Sequence, residues 1–243
     1  MITPLARARR RISCAVLVLL SVAGACVIAS CGGGGASESA AAPHDLQSAQ
    51  APSLPIYVPG TTLKATDSSG NAWTATYSST AAGTSTFNQQ VAYATAIYFT
   101  VSRGATVVDS ESITEFSLMS PYSPLGLAET FSSLPGRLSV RTTTSHDPLP
   151  STLTVGESGP LSSGNSGNCC AFTQTYSVTP DSPSALFLNM QLAFPDFGLE
   201  HGEASFTGLY SGTSTITYAI SGSGAATLVK IQVTINGTAL TFQ

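Results

Sequence analysis

Charge is scarce in this sequence. Lys, Arg, Asp and Glu make up 9% of its 243 residues, and nine basic residues face thirteen acidic ones. So few cations cannot line a phosphate backbone, which excludes nucleic acid as a partner. Helical periodicity is missing beyond the first thirty residues, which excludes bundles and doubly wound α/β folds. Familiar catalytic signatures are missing as well. There is no H-E-x-x-H zinc pattern, and Gly156-Glu157-Ser158-Gly159 lacks the spacing of a nucleophile elbow. Gly222-Ser223-Gly224 lacks the third glycine and the strand-to-helix context of a dinucleotide loop. The residues call for no cofactor and no metal. Low charge does not mean disorder here, because apolar residues reach 42% and β-branched and aromatic ones recur.

What is present begins with a leader. Arg7, Arg9, Arg10 and Arg11 precede an apolar run from Ile12 to Ile28, and Ala29 and Ser30 lead to Cys31. A basic start, an apolar middle and small residues at the end make a secretory signal over residues 1–30. Ile28-Ala29-Ser30-Cys31 resembles the lipobox of bacterial lipoproteins: a branched apolar residue, two small ones, then cysteine. Ala23-Gly24-Ala25-Cys26 lacks the branched residue and is the weaker match. The resemblance implies cleavage before Cys31, acylation (palmitate-type chains) on its sulfur, and membrane attachment through that anchor. Gly32 rather than aspartate follows, which in that family implies the outer membrane. Two or more acyl chains hold stably where one holds only marginally. The start Cys31-Gly32-Gly33-Gly34-Gly35 resembles envelope lipoproteins to which no activity attaches.

Loss of the leader removes four of the nine basic residues, leaving Lys64, Arg103, Arg137, Arg141 and Lys230 against thirteen acids, a formal charge of −8. Cys14 and Cys26 leave with it and Cys31 takes lipid, so only Cys169 and Cys170 remain, and no disulfide framework braces the fold. Residues 31–55 are small, polar and proline-punctuated, and read as the lipidated end and a flexible tether. From residue 56 onward the texture is alternation. Trp73, Ala75 and Tyr77 share one face of a strand, as do Val91, Tyr93, Thr95, Ile97, Phe99 and Val101. Val229, Ile231, Val233 and Ile235 alternate before Asn236-Gly237, which predicts a tight hairpin rather than a glycosylation site. The spacing predicts an all-β module over 56–243, an antiparallel sandwich or a curved, barrel-like meander. Pro121 and Pro124 predict a loop, and a border between two sub-modules near 121–150.

Candidate chemistry is thin. Cys169 and Cys170 are adjacent, and an oxidising envelope permits a strained vicinal disulfide between them. His201 and Glu203 share a face if extended, but Gly202 between them predicts a turn. Ser145-His146-Asp147 holds triad residue types in a row, yet a triad needs side chains converging from separate places. Asp67-Ser68-Ser69-Gly70-Asn71 has the oxygens of a calcium loop without its distal glutamate, and predicts a hairpin turn. Trp73, Tyr77, Tyr93, Tyr98 and Tyr122 would stack on sugars if exposed, but alternate with aliphatics as core residues do. The reading is an envelope lipoprotein with a non-enzymatic binding or structural role. A glycan- or lipid-binding module is the second class and an unrecognised hydrolase the third. The sequence does not specify a protein or glycan partner.

Overall fold

The computed structural model describes residues 46–119, 121–131, 138–166, 170–193 and 212–243. Every regular element among them is a strand. Twelve strands form one antiparallel sheet: β2 (Thr61–Thr66), β3 (Ala72–Phe87), β4 (Gln90–Arg103), β5 (Thr106–Met119), β6 (Tyr122–Phe131), β7 (Leu138–His146), β9 (Ser158–Ser166), β10 (Cys170–Ser182), β11 (Ala185–Ala193), β12 (Thr213–Ser221), β13 (Ala226–Ile235) and β14 (Thr238–Phe242). Each pairs with the next in that order, an up-and-down meander. Its two edges meet at one residue pair. Lys64 N donates to the Gln243 carbonyl at 3.1 Å, and Gln243 N to the Lys64 carbonyl at 3.0 Å. Curling the sheet into a barrel disposes of its two edges.

Why these residues make these strands is visible in their alternation. Trp73, Ala75 and Tyr77 are buried, while Thr74, Thr76 and Ser78 on the other face are not. The same holds for Phe172, Tyr176 and Val178 against Thr173, Thr175 and Thr179 on β10. Apolar side chains thus fill the barrel and hydroxyls coat it, the reverse of a membrane-spanning barrel. At the final hairpin, Asn236 and Gly237 take φ of 48° and 76° between the paired Ile235 and Thr238, the left-handed pair such a turn requires.

One end of the barrel is stopped by a second, two-stranded sheet: β1 (Ser48–Gln50) against β8 (Thr152–Thr154). Ala49 and Leu153 from this cap are buried in the same core as Val178, Leu186, Leu188, Ile220 and Leu228. The expected tether is therefore corrected at its C-terminal part. Residues 46–55 are fastened to the barrel: Gln50 N donates to the Gly222 carbonyl at 3.2 Å, and Ala51 N to that of Ser151 at 3.0 Å. The small, polar composition hid Leu46, Ala49 and Ala51, which pack in or on the core.

Two further expectations change. No border falls near 121–150, because β6 pairs along Gly126–Thr130 with β7, and β7 continues onto β9. And Pro124, expected in a loop, lies inside β6. It sits at a bulge opposite Phe116 and Ser117, beyond the stretch that pairs with β7, so its missing N–H costs no ladder bond on that side. Pro160 and Pro180 use the same device beside the bulges of β10.

β7 is gripped between two glycines. A Cβ on Gly126 would lie 2.1 Å from the Arg141 carbonyl oxygen, and one on Gly164 would lie 2.0 Å from that of Thr142. Gly164→Ala is expected to destabilise the fold by about 1–3 kcal/mol, since backbone rather than a mobile side chain must move. Urea unfolding checks this as a lower midpoint at unchanged slope. A wild-type midpoint would refute the close approach.

Candidate functional site

Twelve strands enclose more space than their side chains fill, since about eight already suffice for a packed interior. The surplus is an internal cavity of about 330 Å³. Its two opposite walls differ in chemistry. On one side, β5 contributes Glu111, Ile113 and Glu115, β6 contributes Tyr122, Leu127 and Glu129, and β7 contributes Arg141, Thr143 and His146. Five strands on in sheet order from β6, β12 and its neighbours β11 and β13 contribute mostly apolar side chains, Met190, Leu192, Ile216, Tyr218, Ile231 and Val233, with Gln191 and Ser214 among them. The pre-β2 residues Leu54, Pro55 and Ile56 also line it.

The polar wall is organised in two groups. In the first, Arg141 Nη2 donates to Glu129 Oε2 at 2.7 Å, with the two side chains 10% and 4% exposed. Burial lifts the proton affinity of Glu129, the Arg141 guanidinium pulls it back, and the nearby Asp109 carboxylate adds to the lift. In the second, the Tyr122 hydroxyl donates to Glu115 Oε1 at 2.5 Å. Desolvation raises the Glu115 carboxyl above the ordinary range, with the Tyr122 hydrogen bond opposing it. Glu115 is only half-buried, but it lines the cavity, so surface it leaves uncovered adjoins that space rather than the barrel's hydroxyl-coated exterior. Tyr77 from β3 is pushed up to about 12, chiefly by burial, and hydrogen-bonds Tyr218 from β12; both tyrosines feel the Glu115 charge. Tyr122 thus bonds this carboxyl group directly, while Tyr77 and Tyr218, from two other strands, line the same cavity and feel its charge.

His146 closes this wall. Its ring meets that of Tyr122 edge-on, centroids 6.0 Å apart, and desolvation lowers its affinity for a proton despite Asp147 beside it. Ser145 and Asp147 on either side are exposed, so the three triad residue types do not converge. Asp67 is a structural cap. Its carboxylate accepts from Ser69 N and Asn71 N at 2.9 Å and from the Trp73 indole N–H at 3.0 Å, and these bonds, the indole first, hold its proton affinity well below the usual carboxylate range. Trp73 is buried, with the Arg103 guanidinium 5.7 Å from its ring. Of the five aromatics, Tyr77 and Tyr122 reach the cavity. Tyr93 and Tyr98 are exposed, but an odd spacing on one strand sends them to opposite faces, so they form no shared platform.

Cys31, Cys169, His201 and Glu203 lie outside the described residues. Cys170 opens β10, its backbone paired with Ser166. Among the described residues no group of three or more His, Cys, Asp or Glu is arranged to hold a metal ion. The site residues that sequence reasoning missed are Glu111, Glu115, Glu129 and Arg141. Their signal was present. Asp109, Glu111, Ile113 and Glu115 keep the period of two along β5, so three of only thirteen acids share a face with apolar neighbours.

Fold and site together define a class: an antiparallel up-and-down β-barrel, apolar within and hydroxylated without, holding a two-faced internal cavity. No family model, no curated protein and no solved structure matches the chain.

Proposed function

We propose that this is a lipid-anchored, non-enzymatic binding protein whose barrel holds one small, largely apolar molecule. The cavity carries this reading. At about 330 Å³ it falls at the low end of the range of small-molecule sites, and its wall is mostly aliphatic and aromatic with a few convergent polar groups. Counting one non-hydrogen atom per water volume, it accommodates roughly a dozen. The hydroxylated outer face suits a barrel bathed in water, so attachment falls to the acylated Cys31 and the glycines after it. The role that follows is carrying or sensing a lipophilic metabolite at the bacterial envelope, the outer membrane by the lipobox reading.

One preparation tests both parts. Full chain extracted from its native membranes is expected to bind 1-naphthylamine, fluorescent, neutral at pH 7 and within that size, at one saturable site. Ile216→Trp, which fills the apolar wall, is expected to weaken binding at least tenfold while leaving the far-ultraviolet circular dichroism unchanged. Equal binding by both proteins, or none by either, overturns the cavity reading. Mass spectrometry of the N-terminal peptide is expected to show acyl chains on Cys31, and a bare thiol there overturns the anchor.

A further inference from the structure

The polarity of the cavity specifies its occupant further, on the reading that the cavity binds a small molecule. We propose that the ligand is a cationic amphiphile, an amine-bearing molecule whose ammonium head lies at Glu115 among Tyr77, Tyr122 and Tyr218, and whose apolar body lies along β11–β13.

Three observations converge on it. The first is that the acidic and basic side chains lining the cavity, Glu111, Glu115, Glu129, Arg141 and His146, all lie on β5–β7 while β11–β13 contribute none, which orients an amphiphile, with Tyr218 of β12 where head meets body. The second is the sign of the polar wall. Glu111, Glu115 and Glu129 line the cavity, and the one guanidinium among the lining residues, Arg141, is engaged with Glu129. A carboxylate head placed there meets like charge in a region of low dielectric, whereas an ammonium head meets opposite charge. The third is the aromatic surround. Tyr77, Tyr122 and Tyr218 line the same space and all interact with Glu115. Tyrosine rings and a carboxylate lining one cavity form a setting that recognises ammonium groups, the rings through their quadrupole and the carboxylate through its charge.

The pH dependence has a definite sign. Glu115 is faced by Tyr122 from β6, Tyr77 from β3 and Tyr218 from β12, with Glu111, Glu129, Arg141 and His146 on its own wall. Burial favours the protonated, neutral form of Glu115. An ammonium favours the carboxylate, so binding expels a proton and strengthens as pH rises through the elevated range of Glu115. Protonation of His146 at low pH adds positive charge to the wall and acts in the same direction.

The test compares three probes of one length at pH 7, each displacing 1-naphthylamine from the full chain below its micelle concentration: decylamine, decanol and decanoate. Decylamine is expected to bind at least tenfold tighter than decanoate, with decanol between. Glu115→Gln is expected to bring the three within about threefold, and Tyr122→Phe, which keeps the ring, to retain most of the amine preference. Lowering the pH from 7 to 5 is expected to weaken decylamine and leave decanol unchanged. Equal binding of all three, or tighter binding of decanoate, overturns the cationic assignment and leaves the cavity reading standing. Binding of none of them overturns both.

Discussion

Phe242→Ala is expected to destabilise the protein by about 3–5 kcal/mol, although the residue is the last but one in the chain. Chain ends ordinarily tolerate change because they are loosely held. Here Phe242 is 0% exposed, pairs with Ile231 on β13, and precedes Gln243, whose backbone joins the two edges of the sheet through Lys64. Truncation therefore empties core volume at the seam of the barrel, where Lys64 and Gln243 exchange a pair of backbone bonds between the two edges. For a domain of this size the loss corresponds to a fall in melting temperature of roughly 6–20 °C. Thr241→Ala is the control. Its side chain faces outward, and the change is expected to stay within about 0.5 kcal/mol. Thermal unfolding of the two variants separates the faces of β14. Equal effects would mean that the last strand is not seated as described.

Much of the barrel was legible in the sequence, and the reason is its two-residue period. Leu186, Leu188 and Ile220 keep that period and are fully buried, while Phe187 between the two leucines points the other way and is not. Asn236-Gly237 announced its hairpin because few other residues accept φ > 0 at two successive positions. Alternation misled where bulges intervene. Val229 belongs to the regular run Val229, Ile231, Val233, Ile235, yet a bulge between Thr217 and Tyr218 brings Leu228 into the core in its place. On β4, Val91 and Tyr93 keep the period of Phe99 and Val101 but are 70% and 51% exposed, because at that end of the strand the buried face is the other one: Ala92 and Ala94 pack with Phe87 and Phe116 in a second, smaller cluster. Strands poor in large apolar residues were harder still. Ser158–Ser166 on β9 reads as a glycine- and serine-rich loop, but backbone bonds to β7 and β10 make it a strand regardless of its side chains. Sandwich and barrel could not be told apart, since their strands alternate alike and only the meeting of Lys64 with Gln243 distinguishes them.

The cavity was less legible, for a different physical reason. Charged residues at strand positions normally mark a solvated face, and Asp109, Glu111 and Glu115 interrupt the apolar character of β5, a strand of fourteen residues. An inward carboxylate is tolerable only if something distant in sequence compensates its burial. Arg141 is twelve residues from Glu129, on the next strand, and Tyr122 reaches Glu115 across the β5–β6 hairpin. Neither pairing has a local spacing rule. A cavity likewise belongs to no one segment, being what twelve strands leave unfilled.

Arg141→Met is expected to destabilise the protein by about 3–5 kcal/mol, because it leaves the Glu129 carboxylate buried without its cation. The loss should depend on pH, and its direction can be worked out. Glu129 is already shifted upward by burial, and removing Arg141 shifts it further. A raised carboxyl binds more protons folded than unfolded, so stability falls as pH rises above its unfolded value of 4.5. The deficit of Arg141→Met should therefore shrink between pH 7 and about 4.5, with Asp109, the other carboxylate acting on Glu129, favouring the protonated form in the same sense. The double variant Glu129→Leu/Arg141→Met is expected to recover the stability of the wild type or exceed it, since apolar groups of similar volume replace a buried ion pair without loss. Urea unfolding of the four proteins at both pH values measures the whole cycle. If the pair is dispensable for folding, its place in the wall needs another reason, and the cavity supplies one: Arg141 and Glu129 keep that side polar, and the guanidinium offsets part of the wall's negative charge. The double variant should then fold well yet bind decylamine with altered affinity. A stable double variant with unchanged probe binding would separate the ion pair from recognition and leave Glu115 and its tyrosines to act alone.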